Sequence, residues 1–206
     1  MLSRPGARSE AGFTLVELIV SIAILGLIAG ALSGAAMAAF RTTGETDVSL
    51  SESDDLQLAA SYLADDAQGA ATFAGTGTPR CGSDPAAALV LELRGRSFDP
   101  GTLAARVTVI SYVLRAGTEP GVVSRALHRL SCEAAASPAP GYPLTPARDV
   151  VVARLLSTGT APVVSCRDAA GATVACSAAD ARTVALTLTS RSGDVVSTLL
   201  GRRRTT

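Results

Sequence analysis

The sequence predicts an α+β protein: one long N-terminal α-helix, its inner half transmembrane, with its outer half packed on an antiparallel β-sheet domain. Three observations carry this. Residues 13–40 hold a single charge. Between Leu56 and Ala70 the apolar residues recur at a helical period. From about residue 88 the apolar period falls to two, between clusters of turn-forming residues. The expected segments are a span over 13–40, an amphipathic continuation over 41–74, and a β-rich domain over 75–206.

The span reads FTLVELIVSIAILGLIAGALSGAAMAAF, 28 residues with Glu17 as its one charge. As a helix it is roughly 42 Å long, against a hydrocarbon core of about 30 Å. Arg4 and Arg8 precede it and an acid-rich stretch follows, so the N-terminus is expected in the cytoplasm and residues after 41 outside. A secretory signal peptide has small-residue cleavage options around Ala36 to Ala39. Its apolar region, though, is only about 7–15 residues. A plain single-span anchor leaves Glu17 unexplained, because a carboxylate inside such a span costs on the order of 2.5–3.5 kcal/mol and needs a partner. Gly26, Gly30 and Gly34 recur every fourth residue on one face, a spacing that lets helices approach closely in lipid.

Past Arg41 the helix is expected to continue, with a loosened turn at Thr42-Thr43-Gly44. Leu56, Ala59, Ala60, Leu63, Ala67 and Ala70 form one apolar stripe, with Val48 on the same face. Gly75 to Pro79 start a loop. Leu89, Leu91 and Leu93 alternate. In RVTVISYVLR (106–115), Val107, Val109 and Val113 share one face, and Ile110, Tyr112 and Leu114 the other. A turn over 116–123 leads into a partner strand over 124–132. The four prolines in 137–146 mark a loop. Further strands are expected at 149–156, 163–166, 173–176, 181–189 and 195–200, joined into an antiparallel sheet.

Gly12-Phe13-Thr14-Leu15-Val16-Glu17-Leu18-Ile19-Val20, behind a short Arg-containing leader (1–12), resembles the start of a type IV prepilin or pseudopilin. The resemblance implies cleavage after Gly12 by a membrane prepilin peptidase, which also N-methylates Phe13. It further implies that Glu17 meets the N-terminal amine of a neighbouring subunit in a filament. Many major pilins have proline where Gly34 stands here. The stretch LQLAASYLADDAQGA (56–70), followed by SYVLRAG and ALHRL, resembles the J-type pseudopilins of type II secretion and the PilW-like minor pilins about equally. The implied partners are the prepilin peptidase, other major and minor pilin-like subunits and an inner-membrane assembly platform. The implied location is a single-pass inner membrane protein with an extracytoplasmic domain.

Composition narrows the chemistry. All 18 basic residues are Arg, and the chain has no Lys, Asn or Trp. A P-loop lysine, a Schiff-base lysine and an Asn-linked glycan are therefore excluded. One His excludes a multi-histidine metal centre, and 3% aromatics are too few for a base-stacking surface. No cofactor, metal or nucleic-acid partner is expected. The net charge is zero but unevenly placed. Residues 41–79 hold one Arg and seven acids, a charge of −6; residues 80–206 hold 15 Arg and nine acids, a charge of +6. Such a division suggests surfaces that attract.

Four cysteines allow three pairings. Cys166 and Cys176 bracket a hairpin and are expected to bridge, leaving Cys81 with Cys132. His128 reads as a surface or satisfied histidine and not as a base. Asp65 and Asp66 point to different helix faces and read as solvated. Ser111 and Ser124 lack a nucleophile context. Arg202, Arg203 and Arg204 read as a frayed basic tail. The expected function is thus structural and not enzymatic. The competing reading is a membrane-anchored binding domain or enzyme with a fortuitous N-terminus.

Overall fold

A computed structural model describes residues 14–75, 77–137, 139–193 and 196–204, with the side chains of 41–49 excepted. The chain divides into two units, Met1–Ser49 and Leu50–Thr206. Helix α1 (Leu15–Gly69) begins in the first and ends in the second. Its backbone is helical through Gly34 and through Thr42 to Gly44, where a loosened turn was expected. Glycine and threonine lower helix propensity by about 1 kcal/mol or less each, which does not break a helix of this length.

The helix stops earlier than the sequence suggests. Residues 70–74, expected as helix, form strand β1 (Ala70–Ala74). Gly69 is a weak helix former. Pairing β1 with β2 (Ala88–Phe98) sets Phe73 opposite Leu93 and buries its ring. β2 continues into β3 (Ala105–Ala116), β4 (Arg125–Ala135) and β5 (Arg148–Leu156), an antiparallel meander in sequence order. A second sheet, also antiparallel, has the order β7-β6-β8-β9, from β6 (Val163–Arg167), β7 (Thr173–Val174), β8 (Thr183–Thr189) and β9 (Val196–Arg202). The sequence suggested one sheet, whereas the described strands form two. Alternation fixes which face of a strand is buried, but not which strands pair.

In the second unit, the end of α1 packs on both sheets. Leu56, Ala59, Leu63 and Ala67 are buried against Leu93, Tyr112 and Leu127 of the first sheet and Val184, Leu186 and Leu199 of the second. Burying a leucine such as Leu63 contributes about 1.5–3 kcal/mol. Gly201 is where β9 comes closest. A Cβ there would lie 2.5 Å from Ala67 Cβ and 2.9 Å from the Leu63 carbonyl oxygen. The opposite face of the first sheet carries a smaller core of Val109, Val113, Leu130, Cys81 and Cys132.

The two-residue period in β3 sorts as read: Ile110, Tyr112 and Leu114 face the helix, Val107, Val109 and Val113 the smaller core. In β2 it does not. Leu89 packs with the smaller core while Leu91 and Leu93 face the helix. The register shifts between Leu89 and Leu91, so Val90 is an extra residue and the parity of the strand flips there.

Candidate functional site

The N-terminal end of α1 is built from Thr14 and Glu17. Thr14 precedes the first helical residue, and its Oγ1 accepts the Glu17 backbone N–H at 3.3 Å. The same hydroxyl donates to Glu17 Oε2 at 3.5 Å. Thr-x-x-Glu at a helix start is the sequence pattern of a capping box, and here it satisfies the Glu17 N–H, one free backbone donor of the first turn. This local role is legible in the sequence, where Thr14 and Glu17 stand three apart at the head of the apolar run. It does not neutralise the carboxylate, since Glu17 has no cationic partner among the described residues.

Leu15–Phe40, 26 residues with a mean hydropathy of 2.5, is long and apolar enough to cross a membrane, and none of it is buried within the chain. A Cβ added at Gly26, Gly30 or Gly34 would meet nothing within 4 Å. Among the described residues, nothing beyond their own helix crowds these glycines. Gly12 and Phe13 lie outside the described residues.

At the other end of α1 a polar knot joins helix to sheet. Asp66, read from the sequence as solvated, is only 8% exposed. Arg129 of β4 donates Nε to Asp66 Oδ2 at 2.7 Å and its terminal nitrogen to Oδ1 at 2.6 Å. The Tyr112 hydroxyl donates to Oδ2 at 2.6 Å. Arg129 also lies over the Tyr62 ring, 5.1 Å from its centroid. Burial, and then the Asp66 charge, push the Tyr112 hydroxyl far above its ordinary pKa. The hydrogen bonds to Asp66 raise that of Arg129. Asp65 stays exposed.

Two further networks tie the loop before β2 to the first sheet. The buried Glu92 carboxylate accepts the Arg80 backbone N–H at 2.8 Å and Arg94 Nε at 2.7 Å. On the same face of the sheet, Asp149 accepts Arg115 at 2.6 Å and meets His128 Nδ1 at 2.8 Å, while Arg115 Nε also lies 3.0 Å from Asp84. Burial alone would raise the Asp149 pKa. The hydrogen bonds from His128 and Arg115 outweigh it and hold the carboxyl below its ordinary value. Of the three cysteine pairings, the structure has Cys81–Cys132, with sulfurs 2.04 Å apart, and Cys166–Cys176, at 2.13 Å. The second closes the β6–β7 hairpin, where Asp168 Oδ1 accepts the N–H groups of Ala170 and Ala172.

The basic tail is not frayed through residue 204. Arg203 donates to the carbonyls of Ala71 and Ala179, and Arg204 reaches Gln68 Oε1 at 3.3 Å.

Against known families, residues 7–33 match the prokaryotic N-terminal methylation motif. The chain carries a prepilin-type N-terminus. The matched stretch includes Gly12, Phe13, Glu17, Gly26 and Gly30, so the capped, apolar start of α1 is the part shared with type IV prepilin-like proteins. No curated protein and no solved structure matches the chain.

Proposed function

We propose that this chain is a structural subunit, a minor pilin or pseudopilin, of a type IV pilus-like or type II secretion filament. In this reading a prepilin peptidase cuts after Gly12 and N-methylates Phe13. The apolar start of α1 then enters the filament core, and the Leu50–Thr206 unit stays extracytoplasmic, contacts sibling subunits and an assembly platform, and primes or caps assembly. The role is mechanical and not enzymatic.

The observation that carries the proposal is Glu17, an acid inside an apolar helix and inside the matched motif, with no cationic partner among the described residues. After cleavage, the new amine of its own chain lies about 6 Å up the helix. The amine of a neighbour can come closer. Two unit charges ~4 Å apart attract by about 4 kcal/mol at an effective dielectric near 20. Most of this is offset by desolvation, so the pair acts as a register lock more than as net adhesion. Methylation keeps the positive charge. The glycines of the span, open within the chain, would admit close helix packing in the core. Two disulfides suit an extracytoplasmic domain.

Mass spectrometry of the mature N-terminus tests the proposal. It should begin at N-methylated Phe13, and only in cells with the peptidase. An uncut N-terminus, or one near residue 40, would return the chain to the anchored-domain reading. Glu17→Val should still insert and be processed, yet fail to enter filaments.

A further inference from the structure

In each sheet of the Leu50–Thr206 unit one strand outruns its outer neighbour. β2 runs from Ala88 to Phe98, yet its ladder with β1 ends where Ala74 pairs with Glu92. The outer edge of 88–91 therefore has no partner strand among the described residues. β6 runs from Val163 to Arg167, yet β7 pairs only with Cys166 and Arg167, which leaves the edge of 163–165 open in the same way. The open stretches read Ala88-Leu89-Val90-Leu91 and Val163-Val164-Ser165, with neither a charge nor a proline to guard them. The bulge at Val90 lies in the ladder with β3, on the other side of the strand.

Both open edges border one cavity. An open groove of about 610 Å3 is lined by Ala74, Ala88 and Val90 of the first sheet and by Ala161, Pro162 and Val164 at the start of β6. It begins where β1 stops, so the place beside β2 that β1 vacates is a groove and not packed core. Arg125 also lines it. The Arg125 guanidinium has no hydrogen-bond or ion-pair partner among the described residues. It stands past the Ala88 end, because Ala88 pairs with Leu114 and Leu114 with Leu127, which Arg125 precedes by two residues on β4.

We infer that this groove takes an extended segment of a different pilin-like subunit, added as a strand along the outer edge of β2 in line with β1. The backbone supplies the attraction, since alternate residues of an edge strand hold out an unpaired N–H and C=O. Four residues, about 13 Å of strand, fit opposite 88–91. The small apolar lining selects small or β-branched side chains at alternate positions of the incoming segment. Arg125 adds a demand for an Asp or Glu at the Ala88 end, which sets register and partner choice. A subunit that primes or caps assembly stands beside other subunits and not beside its own copies, which makes a sibling the occupant. That identity rests on the filament reading; the open edge does not.

The test uses the full-length chain in its native cells, with the photocrosslinking residue p-benzoylphenylalanine at Ala88 in one form and at Ala161 in another. Both positions are exposed. After irradiation each should crosslink to one and the same segment of a sibling subunit, mapped by mass spectrometry as an extended apolar run with an acid at one end. Arg125→Glu should cut the crosslinked yield on the order of tenfold, and changing the mapped acid to Arg should restore it. A synthetic peptide copy of the mapped segment, added to the full-length chain in detergent, should slow amide hydrogen exchange at 88–91 on the order of tenfold, and a copy with proline at its centre should not. No crosslink, crosslinks from the two positions to unrelated segments, a yield indifferent to Arg125→Glu, loss without restoration, or unchanged exchange overturns the inference. So does a crosslink only to a second copy of this chain or only to an exported protein. Processing after Gly12 and filament incorporation are followed in the same cells. An uncut chain sinks the filament reading, whereas a processed and incorporated chain whose groove stays empty sinks this inference alone.

Discussion

Replacing Asp66 with alanine tests how the helix is held to the first sheet. The substitution removes the acceptor for three hydrogen bonds. It leaves the Arg129 guanidinium, 13% exposed, without its carboxylate and the wholly buried Tyr112 hydroxyl without its charged acceptor. Breaking a buried ion pair from one side costs about 3–5 kcal/mol. An unpaired buried hydroxyl costs about 1–3 kcal/mol. The two overlap because both run through one carboxylate, so about 4 kcal/mol is expected. For a chain of this size that lowers the midpoint of thermal unfolding by about 8–16 °C. Circular dichroism of the full chain in detergent, with disulfides intact, measures it. A second acid on the same helix gives the contrast. Glu52 is buried too, but its Oε1 has no hydrogen-bond partner. Glu52→Leu should therefore be neutral or stabilising. A loss below about 1 kcal/mol for Asp66→Ala, or equal losses for both variants, would refute the reasoning.

Three other outcomes follow from the same structure. Removing Cys81–Cys132, whose cysteines are 51 residues apart, should destabilise more than removing Cys166–Cys176, 10 apart. Loop-closure entropy gives about 4 against about 2.7 kcal/mol, readable as denaturation midpoints of the paired Cys→Ser variants. Gly201→Ala should cost about 1–3 kcal/mol, because its Cβ must displace α1 from β9; the same assay reports it. Asp149 has a lowered folded pKa, so its stabilisation is present above the unfolded value and lost as pH falls through the folded one. Asp149→Asn should flatten the acid limb of a stability–pH curve below about pH 4.

The helix start is a purely local signal: Thr14 and Glu17 are three apart at the head of an apolar run. β1 shows a different limit. Local sequence favours helix through Ala70 and Ala71. Only the pairing with β2 and the burial of Phe73 make 70–74 a strand. The bulge at Val90 is also invisible locally, because alternation of Leu89, Leu91 and Leu93 reads the same with or without an extra residue. Asp66 looked like its exposed neighbour Asp65. Its role depends on Arg129, 63 residues away in sequence.

By itself the sequence determined the membrane-length helix, its single acid, the amphipathic continuation and the β-period of most later strands. These are local periodicities and charge costs, written into consecutive residues. Tertiary structure decided the division into two sheets, where the helix yields to β1, which acid is buried and which stays open, and that the arginine tail is docked. Each of these is a contact between distant segments, set by which surfaces fit and which charges find partners once the chain has closed.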